Sequence, residues 1–289
     1  MKKTAILAAA SVLALAASAG AAEPKPEKVW EATGFAQPES VLWDPAAKAL
    51  YVSNVNGVPN EKDGNGFISK LSPDGKVLVQ KWATGLDAPK GMAVFKGRLY
   101  VSDIDRLVVI DTASGKMTKT YAAPGAKFLN DVTVDDQGAV YVSDMLTDTL
   151  WRLAGGRFDK WLTDAQLESP NGLKAERGRI VVASWGPMTG NGFETSKLGS
   201  VKVVSTADKT VRVLSPAFGN LDGIEPDGKG GYLVSDWMNG GVFRTDRQGR
   251  PTRLLSLDQG SADIGAITDQ KLLVVPMMMH AKVVAYRLP

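Results

Sequence analysis

Five side chains with the chemistry to act together recur at one phase of this 289-residue sequence. They are Glu39 in "PESVLWD", Lys90 in "PKGMAVF", Asn130 in "LNDVTVD", Asn171 in "PNGLKAE" and Asp222 in "LDGIEPD"; Ile264 in "DIGAITD" is read as the sixth position. Hard divalent cations take oxygen ligands, and calcium accepts carboxylates and amide carbonyls in a flexible shell of about six to eight. Glu39 and Asp222 bring two negative charges. Asn130 and Asn171 add neutral oxygens, with water completing the shell. Lys90 offers a competing arrangement, a plain ion pair that neutralises the carboxylates without metal. With neither partner, two carboxylates at a narrow mouth repel each other or take up a proton.

A repeated unit must position these residues. "LYVSN" (50–54), "LYVSD" (99–103), "VYVSD" (140–144), "IVVAS" (180–184), "YLVSD" (232–236) and "LLVVP" (272–276) are copies of one strand. A shorter apolar segment precedes each across a tight turn such as "DDQGA", and a second hairpin such as "FISKLSPDGKVLV" follows most of them. Units of four short strands at a period of about 40–45 residues are propeller blades. The sequence therefore predicts an all-β, six-bladed propeller, with the first strand of each blade lining a central channel. The five polar residues and Ile264 then stand just before those strands, at one mouth. Longer connections, "NVNGVPNEKDGNG" and "SWGPMTGNGFETSKLG", fall between second and third strands. "EKDGNG" lacks the spacing of a calcium-binding EF-hand loop and reads as a pocket edge. Asp103, Asp144, Trp185, Met188, Asp236, Trp237 and His280 are expected around the same mouth. The recurring Asp residues suit backbone capping. Trp185, Trp237 and His280 are candidate substrate contacts, and "PMMMHAK" (276–282) a plug at the channel end.

With these motifs in hand, the chain from about residue 30 onward resembles the senescence marker protein-30/gluconolactonase/luciferin-regenerating-enzyme-like (regucalcin-like) family. Its members are six-bladed propellers that also resemble diisopropylfluorophosphatase and paraoxonase. The resemblance implies Glu39, Asn171 and Asp222 as divalent-metal ligands, with Asn130 touching metal or substrate. It implies hydrolysis of a lactone, sugar-derived or similar, or of phosphoester-like bonds. Asp222 is then general base or nucleophile; Lys90 has no firm role in the family, and the residues alone read it as neutralising the oxyanion or binding a substrate carboxylate. Two departures stand out. "PESVLWD" lacks the Gly-Pro usual after the Glu, and His280 is the only histidine, so no His pair can act. Calcium is the expected ion, with magnesium, manganese and zinc as alternatives. A non-catalytic metal- or small-molecule-binding propeller is the competing reading, and a lyase-like propeller a third.

Composition sets the outer bounds. Residues 1–22 combine Lys2 and Lys3 with the apolar run "TAILAAASVLALA" and a small-residue end, "ASAGAA", the pattern of a cleaved signal peptide. Periplasmic or secreted localisation follows, with 23–289 as a single domain. Removing the two signal lysines from 34 basic residues leaves 32 against 31 acidic ones, a mature charge of +1. Near-neutrality gives no sign of a nucleic-acid or membrane partner; a small-molecule substrate and a monomer are expected. Without cysteine, disulfides and thiolate chemistry are excluded.

Overall fold

The computed structural model describes residues 25–289, and the expected signal segment lies outside them. Six four-stranded antiparallel sheets are present, so the chain is a six-bladed β-propeller. The inner strands are Pro38–Asp44, Pro89–Phe95, Leu129–Val134, Pro170–Glu176, Leu221–Pro226 and Gly265–Ile267. In the first five blades the strands follow one another outward in chain order. The sixth is closed differently: its outermost strand is Glu27–Thr33, which pairs with Lys282–Arg287 near the C-terminus. The circle is thus shut by hydrogen bonds between the two ends of the described chain, a closure that local sequence patterning does not announce.

The core is divided into wedges between adjacent blades. Ala32, Val41, Leu50, Val52, Ile267, Val274 and Val283 join the sixth blade to the first. Tyr51, Ile68, Met92, Leu99 and Val101 join the first to the second. The alternation of the strands produces this, since each sheet sends one set of side chains to either neighbour. Each buried Val, Leu or Ile contributes about 1.5–3 kcal/mol. Among the described residues no helix is long and apolar enough to cross a membrane.

Inner and second strands leave the turns between them on one face. The connections from second to third strand, together with the loops entering each inner strand, lie on the other. This second face carries the heads of the inner strands, and with them the candidate site.

Candidate active site at the channel mouth

Asn171 does not sit in a hairpin turn, although Asn-Gly often does. It is the second residue of the inner strand Pro170–Glu176. Glu39, Lys90, Asn130 and Asp222 hold the same place in their strands. At that place the register slips in all five blades. Pro38 pairs with Asn54 and Val41 with Val52, so Glu39 and Ser40 together oppose Ser53. Equivalent slips fall between Pro89 and Met92, Leu129 and Val132, Pro170 and Leu173, and Leu221 and Ile224. Two residues against one is a β-bulge, which bends the strand and re-aims its side chains. The ring residues therefore lie inside the strands, at a repeated bulge, rather than ahead of them.

The motif serine holds the bulge wherever it is present; the fourth blade has Ala183 in its place. Ser143 Oγ accepts from Asp131 N at 2.9 Å and donates to Asn171 O at 2.7 Å. Ser235 Oγ accepts from Gly223 N and donates to Ala262 O, both at 2.8 Å. Ser102 Oγ donates to Asn130 O. Each hydroxyl thus ties its own bulge to the head of the next blade. Glycine follows the ring residue where strands approach most closely: a Cβ on Gly172 would stand 2.0 Å from Asp222 O, and one on Gly91 2.4 Å from Asp131 Cα. The acids of "VSD" bind loop backbone, as capping requires. Asp103 Oδ1 accepts from Ala88 N at 2.8 Å, Asp144 Oδ1 from Phe128 N at 3.0 Å and Asp236 Oδ1 from Asn220 N at 3.2 Å.

The sixth position needs correcting. The Ser235 hydroxyl bonds Ala262 O as that of Ser143 bonds Asn171 O, and Asp263 bridges Ser40, so the sixth ring position is Ala262, not Ile264, and Asp263 follows it. Ile264 is buried in the wedge between the fifth and sixth blades. Counting back from "LLVVP" fails because that strand lacks the Ser-Asp marker and its hairpin carries an extra 3-10 turn, Thr268–Gln270. Asp263 Oδ2 accepts from Ser40 Oγ at 2.5 Å, so its carboxylate belongs to the layer beneath Glu39. Asp131, whose carboxylate accepts from Val132 N at 2.6 Å and from Leu173 N, shares that deeper layer. Below them a cavity of about 220 Å³ is lined by Asp131, Asp263, Thr133 and the Lys174–Glu225 pair, whose Nζ–Oε2 distance is 2.6 Å. Sequence reading missed Asp131 and Asp263; "ND" and "DI" in phase with the ring were the available signals.

Electrostatics at the mouth are unfavourable without a cation. Glu39, Asn171 and Asp222 are only 5%, 1% and 4% exposed. Glu39 Oε2, Asn171 Oδ1 and Asp222 Oδ1 are buried without a hydrogen-bond partner. Burial first, then the charges of Asp222 and Asp263, holds the Glu39 carboxyl well above the usual carboxylate range. Burial and Asp263 do the same to Asp222, with the Asn171 amide pulling the other way. Lys90 forms no ion pair with them, and its charge offsets the shift of Glu39 only in part. Its Nζ donates to Ala88 O at 2.9 Å and Pro59 O at 2.8 Å, and it lies 4.5 Å from the Phe128 ring centre. Burial pulls its pKa down to about 8 against the charges of Glu39 and Asp103. Three orphaned oxygens facing one mouth are what a hard cation would satisfy, so the residues present fit one. Among the described residues no group of three or more His, Cys, Asp or Glu side chains forms a metal cage. The set here is a mixed one, of two carboxylates and two amides.

Asn130 Nδ2 faces Met145 Sδ at 3.7 Å, and so looks toward an apolar wall rather than toward a polar partner. That wall is Phe128, Met145 and Trp185, with Met188 and Trp237 packed against it. Trp185 Nε1 donates to Phe193 O at 2.9 Å, and the rings of Trp185 and Trp237 are 6.0 Å apart. His280 stands apart, exposed, with Nε2 3.6 Å from Asp258 Oδ2 at the surface. The Met run is divided: Met277 is buried in the core, Met278 packs against Val55, Ala88 and Ile104, and Met279 is exposed. "EKDGNG" is held by protein contacts, Lys62 to Asp105 at 2.6 Å and Gly64 N to Asp87 at 3.0 Å. A larger cleft of about 910 Å³ lies at the far end of the fifth blade, lined by Asp227, Arg244, Asp246, Arg247, Gln248 and Arg250 among others, and shares no residue with the ring.

No protein-family model and no curated protein matches this sequence. Among solved structures the chain is similar to a gluconolactonase of Xanthomonas campestris, at 17% identity over 91% of this chain and 87% of that one, with a TM-score of 0.68. It is similar to streptogramin B lyase at 11% identity over 88% and 94%, TM-score 0.60. It is also similar to a luciferin-regenerating enzyme at 14% identity over 88% and 92%, TM-score 0.60. At these identities the likeness is one of fold, and two of these folds are those that the sequence resemblance named.

Proposed function

We propose that this protein is a divalent-metal-dependent hydrolase that opens a lactone or related ester at the channel mouth. The observation that carries the reading is three buried, partnerless oxygens, of Glu39, Asn171 and Asp222, at the same place on three inner strands. These residues, with Asn130, would hold the ion, calcium in the first instance. When bound, such an ion supplies a Lewis acid for the ester carbonyl oxygen. The chain's own residues supply the rest. The Asp222 carboxylate accepts a proton from water as the water oxygen bonds to the carbonyl carbon. The ring C–O bond then breaks, and the leaving alkoxide takes that proton back from Asp222 to give the hydroxy acid. Asn130 orients the ester, and the apolar wall excludes bulk water. Lys90, spent on two carbonyls, braces the loop at Pro59 and places a positive charge near the mouth.

The likeness to a gluconolactonase fold supports a lactone over other esters as the first substrate to try. A second reading, a metal-holding binding module without turnover, draws on the low exposure of the ring and on the Pro59 contact over Lys90. One assay separates them: base uptake at constant pH with a lactone panel, in chelator and then in calcium. Hydrolysis that chelator abolishes, calcium restores and Asp222→Asn lowers by about a hundredfold or more supports the enzyme. Calcium binding without turnover of any lactone or ester supports the binding module.

A further inference from the structure

Apolar side chains that face solvent are not scattered over this molecule. Val58, Leu146, Phe193, Leu198, Met238 and Met279 are exposed by 39–60%. All six sit on connections between second and third strands, on the face that carries the ring. The remaining large exposed hydrophobics, Val29, Leu78, Val79, Met117 and Val213, are all on outermost strands. The second blade, whose connection is a tight turn, places Ile104 there, buried with Val55 and Ala88 under Met278. Every blade therefore contributes an apolar residue to the rim of one mouth.

The rim continues inward. Phe193 packs on Phe128 and Trp185 at centroid distances of 5.7 and 6.0 Å. Those two belong to the wall that meets Asn130 through Met145. On the other side, Val55, Ala88, Ile104 and Met278 border Lys90, which bonds Ala88 O. Polar groups on the rim loops are largely engaged with each other, as in Lys62–Asp105, Asn65–Asp63 and Thr189–Glu194. A polyhydroxylated ligand needs converging free donors and acceptors, and a site lacking them discriminates against it. An apolar collar grips an alkyl or aryl group instead.

We infer that the substrate is a lactone or ester carrying a hydrophobic chain, with the ester at the ring and the chain lying across the Phe193–Trp185–Met279 rim. The inference rests on the hydrolase reading above and narrows its substrate class away from bare sugar lactones. Each methylene fully buried is worth about a fourfold gain, so partial burial of four added methylenes gives a gain of about tenfold or more.

The test compares unsubstituted, butyl- and octyl-substituted γ-lactones with gluconolactone, on calcium-loaded protein. Expected is a kcat/KM that climbs at least tenfold from butyl to octyl, carried by KM. In Phe193→Gln and Met279→Gln this climb shrinks while turnover of the unsubstituted lactone is unchanged. Faster hydrolysis of gluconolactone, or a flat series, overturns the inference and leaves the hydrolase reading standing. Equilibrium binding of octyl lactone and gluconolactone, followed by tryptophan fluorescence, covers the case of no turnover. Preference for the octyl compound then keeps the apolar site while the hydrolase reading falls, and equal or no binding overturns both.

Discussion

Replacing Asp222 with Asn should stabilise the metal-free protein and destabilise the calcium-loaded one relative to wild type. Without metal, Asp222 Oδ1 and Glu39 Oε2 are buried and partnerless, and burial first, with Asp263 adding to both and Asp222 to Glu39, holds the two carboxyls well above the usual range. A buried polar group left unpaired costs about 1–3 kcal/mol, more when charged. Asn has nearly the same shape and removes the charge, so a gain of about 1–3 kcal/mol is expected in chelator. At about 2–4 °C per kcal/mol for a domain approaching this size, the midpoint rises by about 2–12 °C. Calcium at a thousand times its dissociation constant adds about 4.1 kcal/mol to wild type. The variant keeps one of two charged ligands and gains little. The order of the two melting temperatures should therefore invert between chelator and calcium, read by scanning calorimetry. A variant that melts below wild type in chelator and gains equally from calcium would refute the argument that a repelled carboxylate pair awaits a cation.

Further expectations follow from the same geometry. Asp263 is pushed up to about 7 by burial, from an ordinary value of 3.8. A raised carboxyl contributes stability below its unfolded value and loses it as pH rises through the folded one. In chelator, wild type should thus lose stability relative to Asp263→Asn between about pH 4 and 7, which urea midpoints across pH will show. Calcium binding should release protons from the ring carboxyls, giving a heat that varies with buffer ionisation enthalpy. Gly172→Ala forces a Cβ to 2.0 Å from Asp222 O, so it should cost about 1–3 kcal/mol or more and blunt the calcium-induced rise in melting temperature. Ser143→Ala leaves the buried Asp131 N–H and Asn171 O without their bridge. It should cost about 1–3 kcal/mol in denaturant midpoints.

The blades were readable because "VSD" and its variants mark one strand at a constant place, and because strand alternation needs only neighbours to be seen. The phase of Glu39, Lys90, Asn130, Asn171 and Asp222 followed from the same marker. Where it is missing, in "LLVVP", the reading slipped and took Ile264 for the sixth ring position, which is Ala262. The bulge that aims the ring depends on pairing between strands, and neither strand alone shows it. The sixth blade's outer strand comes from Glu27–Thr33, a pairing across nearly the whole chain that no local pattern carries. Lys90 looked like a charge partner for the carboxylates. Its use by Pro59 O depends on the path of a long loop, and loop paths are the least legible part of a sequence.

The central claim is that the bulged ring binds a divalent cation, and calorimetric titration of chelator-stripped protein with calcium tests it most directly. The account predicts one ion per chain in wild type, and weak or no binding in Glu39→Gln and Asp222→Asn. Failure of wild type to bind calcium, magnesium, manganese or zinc, or undiminished binding in both variants, would contradict it.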